Sequence, residues 1–318
     1  MQGGFGHFTR RPFRLGGPIM KVNRREFLKV GMAAGSAAFI GLPARARAEA
    51  DVAGAEESSV LVDTTLCIGC RACEAACSEA NALPAPSPGE PVFDAQRTTS
   101  MDAFTVVNRF EKGADHSEVR YVKTQCMHCV APACASACPN RALDKKRNGP
   151  VTYDAGRCMG CRYCMVACPF QIPKYSYNEL APRVRKCTFC APRQARGLAP
   201  ACATVCPSGA LTFGKRAQLL DAANLRIYQN PNTYVHHVYG EREAGGTNWL
   251  YISDVPFEKL AMKVGVLETP YPDLVKGALG APPFVMTLWP PLLMGLYAFS
   301  RQRSGEEERP SGTGEEKP

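Results

Sequence analysis

Short apolar runs bounded by turn residues recur along the chain and predict a fold rich in short β-strands. Such runs cover residues 59–63, 142–146, 151–154 and 210–214. The second and third runs are separated by Asn148-Gly149, a dipeptide that favours the tight turn of a β-hairpin. We therefore expect hairpin strands at these positions.

Other stretches have patterns that are typical of helices. The stretches after the third cysteine of each cysteine group, such as residues 74–81, predict one or two helical turns, and residues 217–224 predict a further helix. The insertion at residues 82–122 begins with a proline-rich loop and continues with an alternating run at residues 104–110, which predicts a strand. A chain that mixes short strands and short helices in this way is expected to have an α+β fold.

Cysteine changes this picture, because the sixteen cysteines fall into four groups of four. Groups one and three have the spacing CxxCxxCxxxC, whereas the second gap has four residues in group two and eleven in group four. In chain order the groups are Cys67, Cys70, Cys73 and Cys77; Cys126, Cys129, Cys134 and Cys138; Cys158, Cys161, Cys164 and Cys168; and Cys187, Cys190, Cys202 and Cys206. Three closely spaced thiolates can surround one [4Fe-4S] cubane while the fourth reaches a second cubane. The spacing therefore predicts that each group serves two iron–sulfur clusters.

Zinc sites and disulfide bonds are the two alternatives to iron–sulfur clusters. A structural zinc site takes two separated cysteine pairs, whereas groups one and three supply three cysteines at two-residue steps. Such close neighbours are also poor disulfide partners, because a disulfide requires particular Cα separations and Cβ directions. Iron–sulfur ligation is favoured, and a zinc-stabilised exported scaffold remains the remote alternative.

The four groups form an alternating repeat. Residues 63–73 align with residues 154–164 without a gap, and both contain Cys-x-Gly-Cys-Arg-x-Cys. Residues 138–143 match residues 206–211 through the shared pattern Cys-Pro-x-x-Ala-Leu. Groups one and three are therefore one kind of unit, and groups two and four are another. This arrangement predicts a doubled bacterial-type 2[4Fe-4S] ferredoxin-like domain with loop insertions, covering residues 49–260.

The N-terminal segment predicts export by the twin-arginine pathway. Arg24 and Arg25 precede Phe-Leu-Lys, a weakly apolar run follows at residues 30–42, and Ala46-Arg-Ala48 provides a cleavage site. We assign residues 1–48 to this signal, with Met20 as an alternative start. Its removal leaves 29 basic and 28 acidic residues, so the formal charge falls from +9 to +1. The composition therefore gives no support for a nucleic-acid partner.

Near the C-terminus, residues 277–300 lack charge and are long enough to cross a bilayer of roughly 30 Å. We predict a C-terminal transmembrane helix there, preceded by a linker at residues 261–276 and followed by a disordered tail at residues 301–318. Four prolines are the reason for an alternative in which the stretch packs on the protein surface. Arg301 and Arg303 favour a cytoplasmic C-terminus, which places the cysteine domain on the periplasmic face of the cytoplasmic membrane.

With these motifs, the chain resembles the four-cluster ferredoxin subunits of membrane-bound respiratory enzymes, and most closely the HybA-type subunits of periplasmic nickel–iron hydrogenases. The resemblance also includes residues 244–260, AGGTNWLYISDVPFEKL. It implies an electron-transfer subunit without a catalytic site, carrying four [4Fe-4S] clusters between the hydrogenase small and large subunits and an integral membrane quinone-reactive subunit. The alternative is the same role with a molybdenum or tungsten catalytic subunit, as in formate dehydrogenase or in polysulfide and DMSO reductases.

The resemblance further implies which cysteines share a cluster, because the first group pairs with the fourth and the second with the third. We number the clusters 1 to 4. The implied ligands are Cys67, Cys70, Cys73 and Cys206 for cluster 1; Cys187, Cys190, Cys202 and Cys77 for cluster 2; Cys126, Cys129, Cys134 and Cys168 for cluster 3; and Cys158, Cys161, Cys164 and Cys138 for cluster 4. His128 lies inside group two, and we interpret it as a packing residue because four cysteines already accompany it.

Overall fold

The structure, a computed structural model, describes residues 54–112, 118–177, 179 and 183–307. Within this part the chain forms short strands and helices in alternation. The strands are β1 (Ser58–Asp63), β2 (Thr105–Lys112), β3 (Glu118–Gln125), β4 (Leu143–Lys145), β5 (Val151–Tyr153), β6 (Lys174–Tyr175), β7 (Val184–Arg185), β8 (Leu211–Lys215) and β9 (Trp249–Ile252). The α-helices are α1 (Ala72–Ala80), α2 (Ala133–Ser136), α3 (Tyr163–Ala167), α4 (Ala191–Gln194), α5 (Ala201–Thr204), α6 (Arg216–Gln229) and α7 (Tyr271–Glu307). The mixed helix and strand content of the predicted fold class is confirmed.

A three-stranded sheet lies between helix α6 and the cysteine-containing loops. Strand β1 is central, antiparallel to β8 and parallel to β9. Because successive side chains of a strand point to opposite faces, Leu61 packs with Leu219 of α6, whereas Val60 and Val62 pack in the core that contains the buried cysteines. Both faces of β1 are therefore covered, which explains its uninterrupted apolar sequence.

The remaining strands form three two-stranded antiparallel hairpins, β2–β3, β4–β5 and β6–β7. The predicted hairpin around Asn148-Gly149 is confirmed by β4 and β5, and Gly149 has a positive φ of 112°. The predicted strands at residues 59–63 and 210–214 are also present, but they pair with each other in the central sheet instead of forming local hairpins. Their partners are distant in sequence, so local pattern could not identify them.

Helix α7 occupies the C-terminal stretch and begins within the predicted linker. It contains Pro282, Pro283, Pro290 and Pro291. Within the described ranges, no helix combines the length and the apolar character needed to cross a membrane. The transmembrane helix predicted over residues 277–300 is therefore not supported. The absence of charge suggested an anchor, but proline, glycine and tyrosine lower the apolar character of the stretch. The predicted signal at residues 1–48 and residues 308–318 of the predicted tail lie outside the described residues.

Gly240 occupies a tight position beside the central sheet, so its replacement with alanine is expected to destabilise the fold. Its φ is +96°, and an added Cβ would lie 2.3 Å from the Trp249 carbonyl oxygen. Left-handed strain and overpacking together should cost about 2–5 kcal/mol. Gly209→Ala is the matched control, because Gly209 has a φ of +68° but nothing within 4 Å of the added atom. Equal losses of thermal stability in the two variants would contradict this assignment.

Candidate iron–sulfur sites

Groups one and three have the same local backbone geometry. Gly69 and Gly160 have φ values of 70° and 74°, and the arginines two residues later, Arg71 and Arg162, are left-handed at 58° and 62°. Each arginine directly precedes a helix, α1 or α3, that carries the third cysteine of its group. A Cβ on Gly69 would lie 2.5 Å from the Tyr121 ring, so this turn requires glycine. The repeated CxGCRxC sequence therefore folds into one repeated cysteine loop.

Groups two and four share a different structural feature, which is a one-turn helix that begins directly after a proline. Pro132 precedes α2 and Pro200 precedes α5, and these helices carry Cys134 and Cys202. These helices agree with the helical turns predicted after the third cysteine of a group, and the shared run Pro-Ala-Cys-Ala marks where they begin. Group four has the longer gap because α4 (Ala191–Gln194) and its following loop are inserted there.

None of the sixteen cysteines forms a disulfide bond, and their exposure varies along the chain. Cys70 of group one and Cys161 of group three are exposed. The buried cysteines are Cys77, Cys126, Cys134, Cys164, Cys187 and Cys202. Every group thus has at least one buried member, and the two exposed cysteines belong to the two groups with the CxGCRxC loop.

Electrostatic effects between thiols show that group one lies beside group four. Burial raises the pKa of Cys67, and the nearby charges of Cys206 and Cys70 raise it further. Burial likewise raises the pKa of Cys73 to about 12, with additional contributions from Cys202 and Cys67. Burial also raises the pKa of Cys77, at the end of this group, to about 12, and the charges of Cys202 and Cys190 contribute in the same direction.

Groups two and three are neighbours by the same criterion. Burial raises the pKa of Cys129 well above its ordinary value, and the charge of Cys168 adds to this effect. Burial raises the pKa of Cys164 to about 11, with contributions from Cys158 and Cys138. Groups two and three therefore lie beside each other, and Cys134 and Cys164 pack in one buried cluster.

Cys187 of group four lies near cysteines of both group one and group two. Cys187 is fully surrounded by protein, and burial raises its thiol pKa well above the ordinary value. The charges of Cys77 and Cys126 contribute next, so Cys187 lies near a cysteine of group one and a cysteine of group two. Cysteines of groups one, two and four therefore meet in one buried cluster, which contains Cys77, Cys126, Cys187 and Cys202.

Comparison with known proteins agrees with this arrangement. Two overlapping stretches, residues 66–142 and 117–216, match the 4Fe-4S dicluster domain family, and together they include all sixteen cysteines. The hydrogenase-2 operon protein HybA of Escherichia coli O157:H7 is 36% identical over 274 residues, covering 75% of this chain and 83% of HybA. The chain belongs to the HybA family. This confirms the resemblance drawn from the cysteine motifs.

Two further proteins are also similar to this HybA-family chain. A protein of Nitratidesulfovibrio vulgaris is 47% identical over 290 residues, covering 89% of this chain and 78% of that protein. The nitrate-inducible formate dehydrogenase iron–sulfur subunit of Escherichia coli K12 is 37% identical over 203 residues, covering 62% of this chain and 68% of that subunit. The HybA-family chain is therefore an iron–sulfur electron-transfer subunit of an oxidoreductase complex.

Hydrogen-bond donors around the thiols fit bound iron–sulfur clusters. The backbone amide of Phe189 donates to Cys187 Sγ at 3.4 Å, and that of Ala142 donates to Cys138 Sγ at 3.2 Å. Such bonds favour the thiolate form that an iron ligand requires. Without bound iron, burial keeps several of these thiols protonated, whereas ligation to iron deprotonates a cysteine outright. The HybA-family fold therefore supplies both the thiols and the amides that [4Fe-4S] clusters use.

Three buried N–H groups have no partner within the described residues, namely Arg97 Nε, the indole Nε1 of Trp249 and Nε2 of His128. The last two belong to rings that pack against Phe189 of the group-four loop. His128 Nδ1 accepts a hydrogen bond from the Val151 amide at 3.0 Å, so the ring proton resides on Nε2. A buried donor without an acceptor is costly, and the sulfur atoms of a cluster would be suitable acceptors. These two orphaned ring donors are a second reason why the HybA-family site fits iron–sulfur clusters.

His128 itself is a packing residue, as the sequence analysis interpreted it. Its ring stacks on Phe189 with centroids 4.8 Å apart and an interplanar angle of 20°. Burial, followed by the charge of Lys186, lowers the pKa of His128 well below its usual range, so the imidazole is neutral. Phe189 occupies the position in group four that His128 occupies in group two, so the two related loops meet through these rings. No three His, Cys, Asp or Glu side chains of the described residues converge closely enough for a single metal ion.

Proposed function

We propose that this chain carries electrons between a periplasmic nickel–iron hydrogenase and a membrane quinone-reactive partner through four [4Fe-4S] clusters. The observation that carries this proposal is that cysteines of groups one, two and four pack together in one buried cluster that contains Cys187. When bound, each cluster supplies a one-electron redox centre. The chain itself provides the thiolates, the amide donors and the buried surroundings that keep the centres in order.

The sixteen ligands are assigned in the four sets named above, in the order cluster 1, cluster 2, cluster 3 and cluster 4. The proximity of Cys67 to Cys206 supports the first set, and that of Cys129 to Cys168 supports the third. The proximity of Cys187 to Cys126 supports placing cluster 2 beside cluster 3. In this order the exposed cysteines, Cys70 and Cys161, belong to the two terminal clusters.

Apolar side chains surround both proposed ends and are suited to contact with other subunits. At the group-one end, Ile68 is 62% exposed and Leu66 is also exposed. At the group-three end, Met159, Tyr163 and Val166 are exposed, the last at 87%. Exposed apolar patches of this kind mark interaction surfaces. Electrons would enter through a catalytic subunit at one end and leave through the membrane partner at the other.

Hydrogenase is the proposed catalytic partner because the similarity to HybA covers 75% of this chain, whereas the similarity to the formate dehydrogenase subunit covers 62%. The partners would be the hydrogenase small and large subunits and an integral membrane quinone-reactive subunit. The twin-arginine signal predicted at residues 1–48 would place the cysteine domain at the periplasmic face of the cytoplasmic membrane, after assembly of the clusters in the cytoplasm.

Elemental analysis of the complex that copurifies with the tagged full-length chain tests this proposal. We expect iron and acid-labile sulfide, with sixteen of each per chain attributable to four cubanes, together with nickel. Molybdenum or tungsten in place of nickel would retain the electron-transfer role and replace the hydrogenase by a formate dehydrogenase or reductase. Zinc without sulfide would contradict the iron–sulfur assignment.

A further inference from the structure

A lysine is buried against the Trp249 ring, which packs on Phe189 of the group-four loop. Lys123, near the end of β3, is 3% exposed. Its Nζ donates to Gln125 Oε1 at 2.7 Å and lies 4.2 Å from the centroid of the Trp249 ring. The Gln125 amide donates to the Tyr251 hydroxyl, which in turn donates to the Lys123 carbonyl oxygen. The ammonium group is therefore held in one position by the chain.

Lys123 forms no ion pair with a carboxylate in the part of the chain that the structure describes. The contrast with Lys145 is clear, because Lys145 Nζ lies 2.6 Å from Glu57 Oε2. An unpaired buried charge is strongly unfavourable, and one amide oxygen and one aromatic ring are weak compensation for it. A fold that retains Lys123 needs a negative charge close to its ammonium group.

The cysteine loops would supply that charge once iron is bound, because the Trp249 ring next to the Lys123 ammonium group packs in the buried cluster that contains Cys187 and Cys202, and ligation to iron leaves these sulfurs as thiolates. Burial would lower the pKa of Lys123, but the charges of Cys202 and Cys73 outweigh this effect and raise it above the ordinary value. Cys187 contributes in the same direction. In the proposed ligand sets Cys73 belongs to cluster 1, whereas Cys202 and Cys187 belong to cluster 2. Lys123 is thus within electrostatic reach of two neighbouring clusters.

We propose that Lys123 is a fixed positive charge shared by clusters 1 and 2, and that it raises the reduction potential of both. This inference rests on the proposed function and its ligand sets. Reduction adds an electron to a cluster that already carries negative charge, and a buried cation nearby stabilises the reduced state more than the oxidised state. Lys123 is a positioning residue because it does not bind iron. Its charge makes clusters 1 and 2 more favourable sites for an electron.

The test is a redox titration of the purified complex, with the reduced clusters followed by electron paramagnetic resonance. Lys123→Met removes the charge while retaining an unbranched side chain. We expect the ratio of reduced to oxidised cluster 1 and cluster 2 at a fixed potential to fall about tenfold, equivalent to about 59 mV for a one-electron couple. Clusters 3 and 4 should shift less. Lys123→Arg should keep the original potentials, because it keeps the charge.

Lys146→Met is the matched control, because Lys146 is 51% exposed and its removal changes the net charge by the same amount. It should leave all four potentials unchanged. Iron and sulfide counts on every variant separate this inference from the proposed function. A full cluster complement with unchanged potentials in Lys123→Met overturns the inference alone, whereas a wild-type complex without clusters overturns both.

If Lys123 had only a structural role, its replacement would change the number of bound clusters but not their reduction potentials. Lys123→Gln is a second variant that removes the charge. Glutamine can still bond to Gln125, which helps the loop to form. If Lys123→Met assembles incompletely, the potentials of Lys123→Gln decide the matter: a lowered potential at clusters 1 and 2 supports the inference, and an unchanged one overturns it.

Discussion

Cys206→Ser is expected to disturb cluster 1 and to leave clusters 3 and 4 intact. Cys206 lies beside Cys67. Burial raises the pKa of the Cys67 thiol, and the charge of Cys206 raises it further. Serine is a poorer ligand for iron than the thiolate it replaces. The variant should therefore lose between one and about four iron atoms per chain, and electron transfer through the complex should fall by at least about tenfold, since even altered outer contacts of a metal site cost 10–100-fold. Iron analysis and electron paramagnetic resonance check the first effect, and quinone reduction by the complex checks the second.

Cys138→Ser is the matched control for that experiment. Cys138 precedes proline as Cys206 does, and both lie in the shared Cys-Pro-x-x-Ala-Leu pattern. Because Cys138 has Cys164 as a neighbour, its replacement should disturb cluster 4 and leave clusters 1 and 2 intact. If both variants changed the same resonance, or if Cys206→Ser changed only clusters 3 and 4, the proposed sharing of ligands between groups would be wrong.

Glu74→Ala is expected to destabilise the domain by about 3–5 kcal/mol, because it breaks a buried ion-pair network. The Glu74 side chain is 3% exposed, and its carboxylate accepts hydrogen bonds from Arg97 at 2.6 Å and Arg71 at 2.8 Å. It also accepts the Val107 amide of β2 at 2.6 Å. Alanine would leave two guanidinium groups and one backbone amide without this acceptor. Helix α1, which carries Cys73 and Cys77, would lose its main polar attachment to β2.

The measurement is the rate at which visible cluster absorbance is lost on heating, because a cluster protein does not unfold reversibly. Loss should be faster in Glu74→Ala than in the wild type at every temperature tested. Asp144→Ala is the comparison, since the Asp144–Lys146 pair is exposed on both sides and should contribute less than about 1 kcal/mol. Equal rates in Glu74→Ala and Asp144→Ala would show that the network does not hold α1 in place.

Local pattern predicted those elements whose partners or periodicity are local. The β4–β5 hairpin follows from Asn148-Gly149, and α6 (Arg216–Gln229) extends the helix predicted at residues 217–224. Helices α2 and α5 have only four residues each, too few to show a periodicity, and they were predicted from their place in the cysteine repeat instead. The pairing of β1 with β9 was missed because parallel partners can be separated by any length of chain.

The cysteine site was largely predictable, because spacing constrains a cluster ligand more strongly than it constrains a strand. What the sequence could not indicate was the surroundings of the thiols. Lys123 is one lysine among many in the sequence, and only the fold shows that it is buried without a carboxylate partner. The C-terminal stretch is the opposite case, because its length and lack of charge predict a membrane helix, whereas no helix of the described residues is long and apolar enough for one.

Because β9 lies at the edge of the central sheet, the sheet can form completely only after β9 has been synthesised. Ser59 in β1 bonds to Asn248, 189 residues later, and β9 follows directly at Trp249. A ribosome therefore releases every cysteine before it releases the strand that closes the sheet. Trp249, which packs against Phe189 of group four, is synthesised after all sixteen cysteines. During synthesis the thiols of a nascent chain stay open on this side, and the final strand closes over the loops only after the whole ligand set has been translated.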